Sequence, residues 1–175
     1  LEVLLLDIVP NALTEIEEKK GLTLESKVVR NRVVNDHLAN ALKSNPSPIY
    51  SQKFASRITT GNTTDDMSKI ATCDWIIEVV VENLDIKKLV FEQIDKFRKP
   101  GTLVTSNTSG IPINFMSEGR SDDFQAHFCG THFFNPARYL KLFEIIPGPK
   151  TSQEVLDFLF EYGSKFLGKT SVIAK

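Results

Sequence analysis

"DWIIEVVVENLDIKKLVFEQIDKFRKPGTLVTSN", residues 74–107, decides the fold. Residues 74–82 form a short apolar run rich in β-branched side chains, which reads as a strand. Residues 85–97 carry apolar side chains at helical spacing and read as an amphipathic helix. Lys99, Pro100 and Gly101 turn the chain, and a second strand follows to Asn107. Strand, helix and strand in that order make the unit from which parallel sheets are built.

The alternation continues in both directions. Upstream, "LEVLLLD" (1–7) reads as a buried strand, and a helix is expected from Pro10 to a stop at Gly21. Residues 24–43 read as a longer helix with Val28, Val29, Val33, Leu38 and Leu42 on its apolar side, ended by "SNPSP" (44–48). "SRITTG" (56–61) reads as a strand and "DDMSKIATC" (65–73) as a short helix. Downstream, a short helix is expected in "SGIPINFMSEG" (109–119), then strands in "DFQAHFCGTHFF" (123–134) and "YLKLFEII" (139–146). "TSQEVLDFLFEYGSKFLG" (151–168) reads as a helix with Thr151 or Ser152 as N-cap and Glu154 within reach of a capping box. A last strand, "KTSVIA" (169–174), follows. Strands interleaved with helices imply an α/β fold with a largely parallel, doubly wound sheet. Without an internal repeat, low-complexity tract or linker, residues 1–175 read as one domain. Neither end looks like a natural terminus, so the chain is expected to be a piece of a longer protein.

Composition narrows the function. A formal charge of −1 offers no excess of cations for a nucleic-acid backbone. No run of about 18 apolar residues exists to span a bilayer. Cys73 and Cys129 are too few for a disulfide framework and suit a reducing compartment.

Four places carry chemistry. Asp7 closes a strand, where a carboxylate can accept hydrogen bonds from an adenosine ribose and would repel a 2′-phosphate, favouring NAD over NADP. The plain reading is a cap on the loop that follows. The companion G-x-G-x-x-G lies about 20 residues upstream of such an acid, a position that falls before residue 1. Glu82 and Asn83 follow three valines at a strand end, with Lys87 in the first turn of the next helix. That lysine opposes the helix dipole unless an anionic or polar partner answers it. The plain reading is a surface ion pair of little worth. "VTSNTSGIPI" (104–113) ends a strand in small polar side chains, among them Asn107 and Ser109. They can donate to a nicotinamide, a ribose or a substrate carbonyl, or Ser109 can cap the helix.

The fourth place is "CGTHFFNPARYLKLFE" (129–144). In a strand, Glu144 shares a face with Leu140, Leu142 and Ile146, where a carboxylate needs a hydrogen-bonding partner. His132, ending the preceding strand, is a candidate, and an imidazole held by a carboxylate is a general base. The plain reading is a core histidine on a backbone carbonyl and a solvent-facing Glu144. His127, Cys129 and His132 are ligand types, but strand alternation points His132 away from the other two and no fourth ligand is near.

Together, "VVVENLDIKKLVFEQID", "TSNTSGIPI" and "GTHFFNPARYLKLFEIIPG" resemble the NAD-binding domain of the 3-hydroxyacyl-CoA dehydrogenases of fatty-acid β-oxidation. "FFNPARYLKLFEIIP" is similar to the long multifunctional bacterial members, which join this domain to an enoyl-CoA hydratase part. The resemblance implies a Rossmann-like sheet here lacking its first strand and glycine-rich turn. It implies His132 as catalytic base and Glu144 as the carboxylate that orients it. Ser109 matches a residue near both substrate and nicotinamide, and Asn135 the active-site asparagine. Glu82 and Lys87 match NAD contacts, and Asp7 the ribose ligand. It further implies an acyl-CoA substrate, a cytoplasmic bacterial protein and a homodimer formed through a helical C-terminal domain outside this chain. The fragment alone is expected to be inactive. Two alternatives stand beside it: a non-catalytic, crystallin-like NAD-binding relative, and a dehydrogenase of a short β-hydroxy acid.

Overall fold

In the computed structural model, which describes residues 1–174, the seven strands lie in two sheets. The chain divides into two compact units, Leu1–Ser68 and Lys69–Lys175. In the first, β1 (Val3–Asp7) runs parallel to β2 (Ile58–Asn62), with Asp7 opposite Asn62. β1 is only half-buried and Val3 is exposed, unlike the buried strand expected. The helix α1 (Glu15–Lys19) starts later than Pro10, because Thr14 and Glu17 close a reciprocal capping box. The long helix expected over residues 24–43 is interrupted at Asn31, giving α2 (Lys27–Arg30) and α3 (Arg32–Lys43). Val29 and Val34 are the buried side chains there, while Val28 is exposed.

The second unit is a five-stranded sheet in the order β3 (Trp75–Glu78), β4 (Leu103–Ser106), β5 (Phe128–Phe133), β6 (Leu142–Pro147), β7 (Thr170–Ile173). All neighbours are parallel except β5 and β6, which form an antiparallel pair with His132 opposite Glu144. α4 (Leu84–Phe97) links β3 to β4, and α7 (Gln153–Lys165) links β6 to β7. Between β4 and β5 lie α5 (Ile113–Ser117) and α6 (Asp122–Ala126). Strand alternation sends Phe128 to one face, where its ring packs 4.9 Å from Phe91 of α4 and 5.1 Å from Phe124 of α6. Leu103, Cys129, Phe143 and Ile145 pack on the other face with Val155, Leu156 and Leu159 of α7. Helices on both faces make the unit doubly wound and Rossmann-like.

Three local expectations change. β3 stops at Glu78 rather than residue 82, so Glu82 lies in the loop before α4. Residues 122–126 are helical, not strand: Ser121 accepts from the Phe124 amide as N-cap, and Asp122 and Asp123 sit in the first turn. His127 therefore ends a helix, and among the described residues no cluster of side chains could hold a metal ion. Ser152 alone caps α7, because Thr151 instead donates to the Phe128 carbonyl and accepts from the Gly148 amide. Val155, not Glu154, holds the position a capping box needs.

Candidate active site

Parallel strands finish on one edge, and β3, β4 and β5 bring Glu78, Ser106 with its following loop, and His132 to that edge. The antiparallel return of β6 sets Glu144 beside His132. Nδ1 of the imidazole lies 2.9 Å from Oε2 of Glu144, and Nε2 lies 3.1 Å from Oγ of Ser109. An ionised carboxylate only accepts, so Nδ1 carries the proton and Nε2 is left as an acceptor, here facing the Ser109 hydroxyl. The Phe134 ring lies 4.3 Å from the imidazole, centroid to centroid, and leaves the His132 side chain 19% exposed. Glu144 is half-buried, at 30%, rather than enclosed.

Ser109 is not a helix cap, because α5 begins after Pro112 without a side-chain cap. It is exposed, and Glu82 holds its loop. Oε1 of Glu82 accepts from the amides of Ser109 and Gly110 at 3.2 Å and of Ile111 at 3.4 Å, as well as from the Thr108 hydroxyl. Burial by itself would raise the Glu82 carboxyl. The bonds from Thr108 and Gly110 and the nearby Lys87 charge outweigh it and lower it to about 2.

Lys87 is no surface lysine. Its side chain is 0% exposed, with Nζ 2.9 Å from Oε1 of an equally buried Glu78 and 3.3 Å from Oε2 of Glu82. Asn107 clips strand ends together: its amide donates to the Glu78 carbonyl, and its side-chain oxygen accepts from the Phe133 amide at 2.8 Å. Asn135 is exposed in the turn after β5. In the first unit, one Asp7 oxygen accepts from the Ile8 amide, the capping role, and the other lies 2.7 Å from Nδ1 of His37. Cys129 is wholly buried, which pushes its thiol up to about 12 and suits packing rather than nucleophilic attack.

Glu78, Thr108 and His37 were not legible as site residues. Glu78 had one signal, a lone acid inside the apolar run at 75–81. The exposed Ser109 and Asn135 give the strand edge at His132 a polar rim of donors and acceptors of the kind a nicotinamide amide can meet.

The profile of the family described as "3-hydroxyacyl-CoA dehydrogenase, NAD binding domain" matches residues 1–175. A probable 3-hydroxyacyl-CoA dehydrogenase of Bacillus subtilis is 57% identical over 175 residues, 100% of this chain and 22% of its own length. The mitochondrial hydroxyacyl-coenzyme A dehydrogenase of Sus scrofa is 33% identical over 169 residues, covering 97% of this chain and 48% of its own. Among solved structures, (S)-3-hydroxybutyryl-CoA dehydrogenase from Ralstonia eutropha has a TM-score of 0.68 at 26% identity, covering 100% of this chain and 55% of that one. The chain thus spans less than half the length of these curated relatives. It belongs to the 3-hydroxyacyl-CoA dehydrogenase family, to the part of it that binds NAD.

Proposed function

We propose that the whole protein oxidises (3S)-3-hydroxyacyl-CoA to 3-oxoacyl-CoA, in fatty-acid β-oxidation, with this chain as its NAD-binding domain. One observation carries the reading: Ser109, His132 and Glu144 are linked by contacts of 3.1 and 2.9 Å at the edge where parallel strands end. His132 takes the proton of the 3-hydroxyl at Nε2, where the Ser109 hydroxyl now sits, while Glu144 fixes the tautomer and offsets the positive charge that develops on the ring. NAD, when bound, supplies the acceptor for the hydride that leaves C3. Ser109 and Asn135 orient the substrate and the cofactor's reactive end, and Asn107 and Glu82 shape the loop that presents them. Glu82, Lys87 and Asn107 are contacts of the cofactor, and Asp7 holds the adenosine ribose once its hydroxyls replace His37.

No helix among the described residues is long and apolar enough to cross a membrane. We place the protein in the bacterial cytoplasm, as a homodimer built through a further, helical domain, with both units of this chain in one domain. The test is His132→Ala in the full-length protein. Turnover of a (3S)-3-hydroxyacyl-CoA should fall by roughly 10²-fold or more with NADH affinity nearly unchanged. Parental turnover in that variant ends the base assignment.

A further inference from the structure

The connection between the strands of His132 and Glu144, residues 134–141, is held from outside by one lysine. The turn within it folds on itself, the Tyr139 and Leu140 amides donating to the Pro136 carbonyl at 2.9 and 3.1 Å. Two of its carbonyls converge on Lys169, whose Nζ donates to that of Ala137 and, at 2.5 Å, to that of Leu140. Lys169 is itself anchored in the passage from α7 to β7. Its amide donates to the Gly163 carbonyl at 2.9 Å, and the next amide, of Thr170, donates to the Lys141 carbonyl at 2.7 Å. The turn is thus clamped to the edge strand β7, and the exposed Asn135 stands directly before it.

Charge pairing does not account for this lysine. Among the described residues its ammonium meets carbonyl oxygens and no carboxylate. Burial, and then the neighbouring Lys141 charge, hold its pKa below the ordinary lysine value, so the place disfavours a cation. What an ammonium does offer is three donors on a long stem, enough to draw two carbonyls of one turn to a single point. An apolar side chain of the same length leaves both carbonyls to water and the turn free to shift.

We propose, resting on the orienting role given to Asn135, that Lys169 is a positioning residue for the reaction. By clamping the turn at Ala137 and Leu140 it fixes the backbone that carries Asn135. It thereby sets where that side chain stands relative to His132, three positions earlier, when substrate and cofactor are in place. Lys169 acts on turnover through the loop rather than by contact with either reactant.

The test uses full-length protein carrying Lys169→Met, Asn135→Ala and both together. Methionine keeps most of the stem's volume and loses the donors, so the thermal midpoint should stay close to the parent's. Because a misplacement of about 1 Å can cost ~10²-fold in rate, the kcat of Lys169→Met for a (3S)-3-hydroxyacyl-CoA should fall about tenfold. In the Asn135→Ala background the same change should cost less than about twofold, because its effect passes through that side chain. A lysine that merely supports the fold lowers both backgrounds alike. A folded Lys169→Met protein with parental kcat overturns the inference, and so does a loss of equal size with and without Asn135. Should Lys169→Met not fold, Lys169→Gln, whose shorter stem carries a donor without the charge, serves for the same readouts. Turnover lost in Asn135→Ala but kept in Lys169→Met removes only the clamp; parental turnover in Asn135→Ala removes the orienting role on which it rests.

Discussion

Glu144→Gln isolates what the charge beside His132 does. The amide oxygen can still accept from Nδ1–H, so shape and tautomer survive while the negative charge is lost. Over 2.9 Å, Coulomb's law gives ~1.4 kcal/mol at the dielectric of water and ~6 kcal/mol at an effective value of ~20. The two side chains are 19% and 30% exposed, which places the pair between those limits. Hydrogen bonds to charged groups contribute ~1.5–3 kcal/mol net. On the proposed base role of His132 the imidazolium forms only as the substrate proton leaves, so that loss falls on kcat and leaves KM and NADH binding nearly unchanged. The expected fall in kcat is about 10- to 150-fold, followed by NADH absorbance with a (3S)-3-hydroxyacyl-CoA and excess NAD. Turnover within about twofold of the parent would falsify the reasoning, since no charge beside His132 would then be felt in the transition state.

Asp7→Asn should narrow the preference for NADH over NADPH, measured by titrating both; a parent protein that binds NADPH more tightly contradicts the ribose role. The Glu82 carboxyl falls from 4.5 to about 2 on folding. Its contribution to stability is therefore complete above 4.5 and is lost as pH falls through about 2. Urea midpoints of the parent and Glu82→Gln should converge on acidification through that window, and a gap that persists below it refutes the assignment. Gly163→Ala puts a methyl against the Ser171 hydroxyl of β7 and 2.8 Å from Cδ1 of Phe143, where α7 lies against β6 and β7. The overpacking should cost about 1–3 kcal/mol, seen as a lower thermal midpoint, and an unchanged midpoint shows that α7 yields.

Where a signal was local, the sequence read well. "LVTSN", "KLVFEQID" and "EVLDFLFEYG" became β4, α4 and α7 because side-chain periodicity is set within a few residues. It read poorly where a short-range competitor intervened. Ser121 and two aspartates turned residues 122–126 into a helix ahead of a strand-like run, and the chain left β3 four residues early.

By itself, then, the sequence determined the α/β class and set His132 and Glu144 on neighbouring strands as candidates for the chemistry. It did so because propensity, capping and alternation are written in neighbouring residues. Only the tertiary structure decided which groups meet. Ser109, legible as either a helix cap or a ligand-facing donor, meets His132, 23 residues away, Lys87 is buried against Glu78, and a single Glu82 oxygen gathers amides 27 to 29 positions on. Such contacts depend on strand order and register, and on what burial leaves unpaired. No window of neighbouring residues contains either.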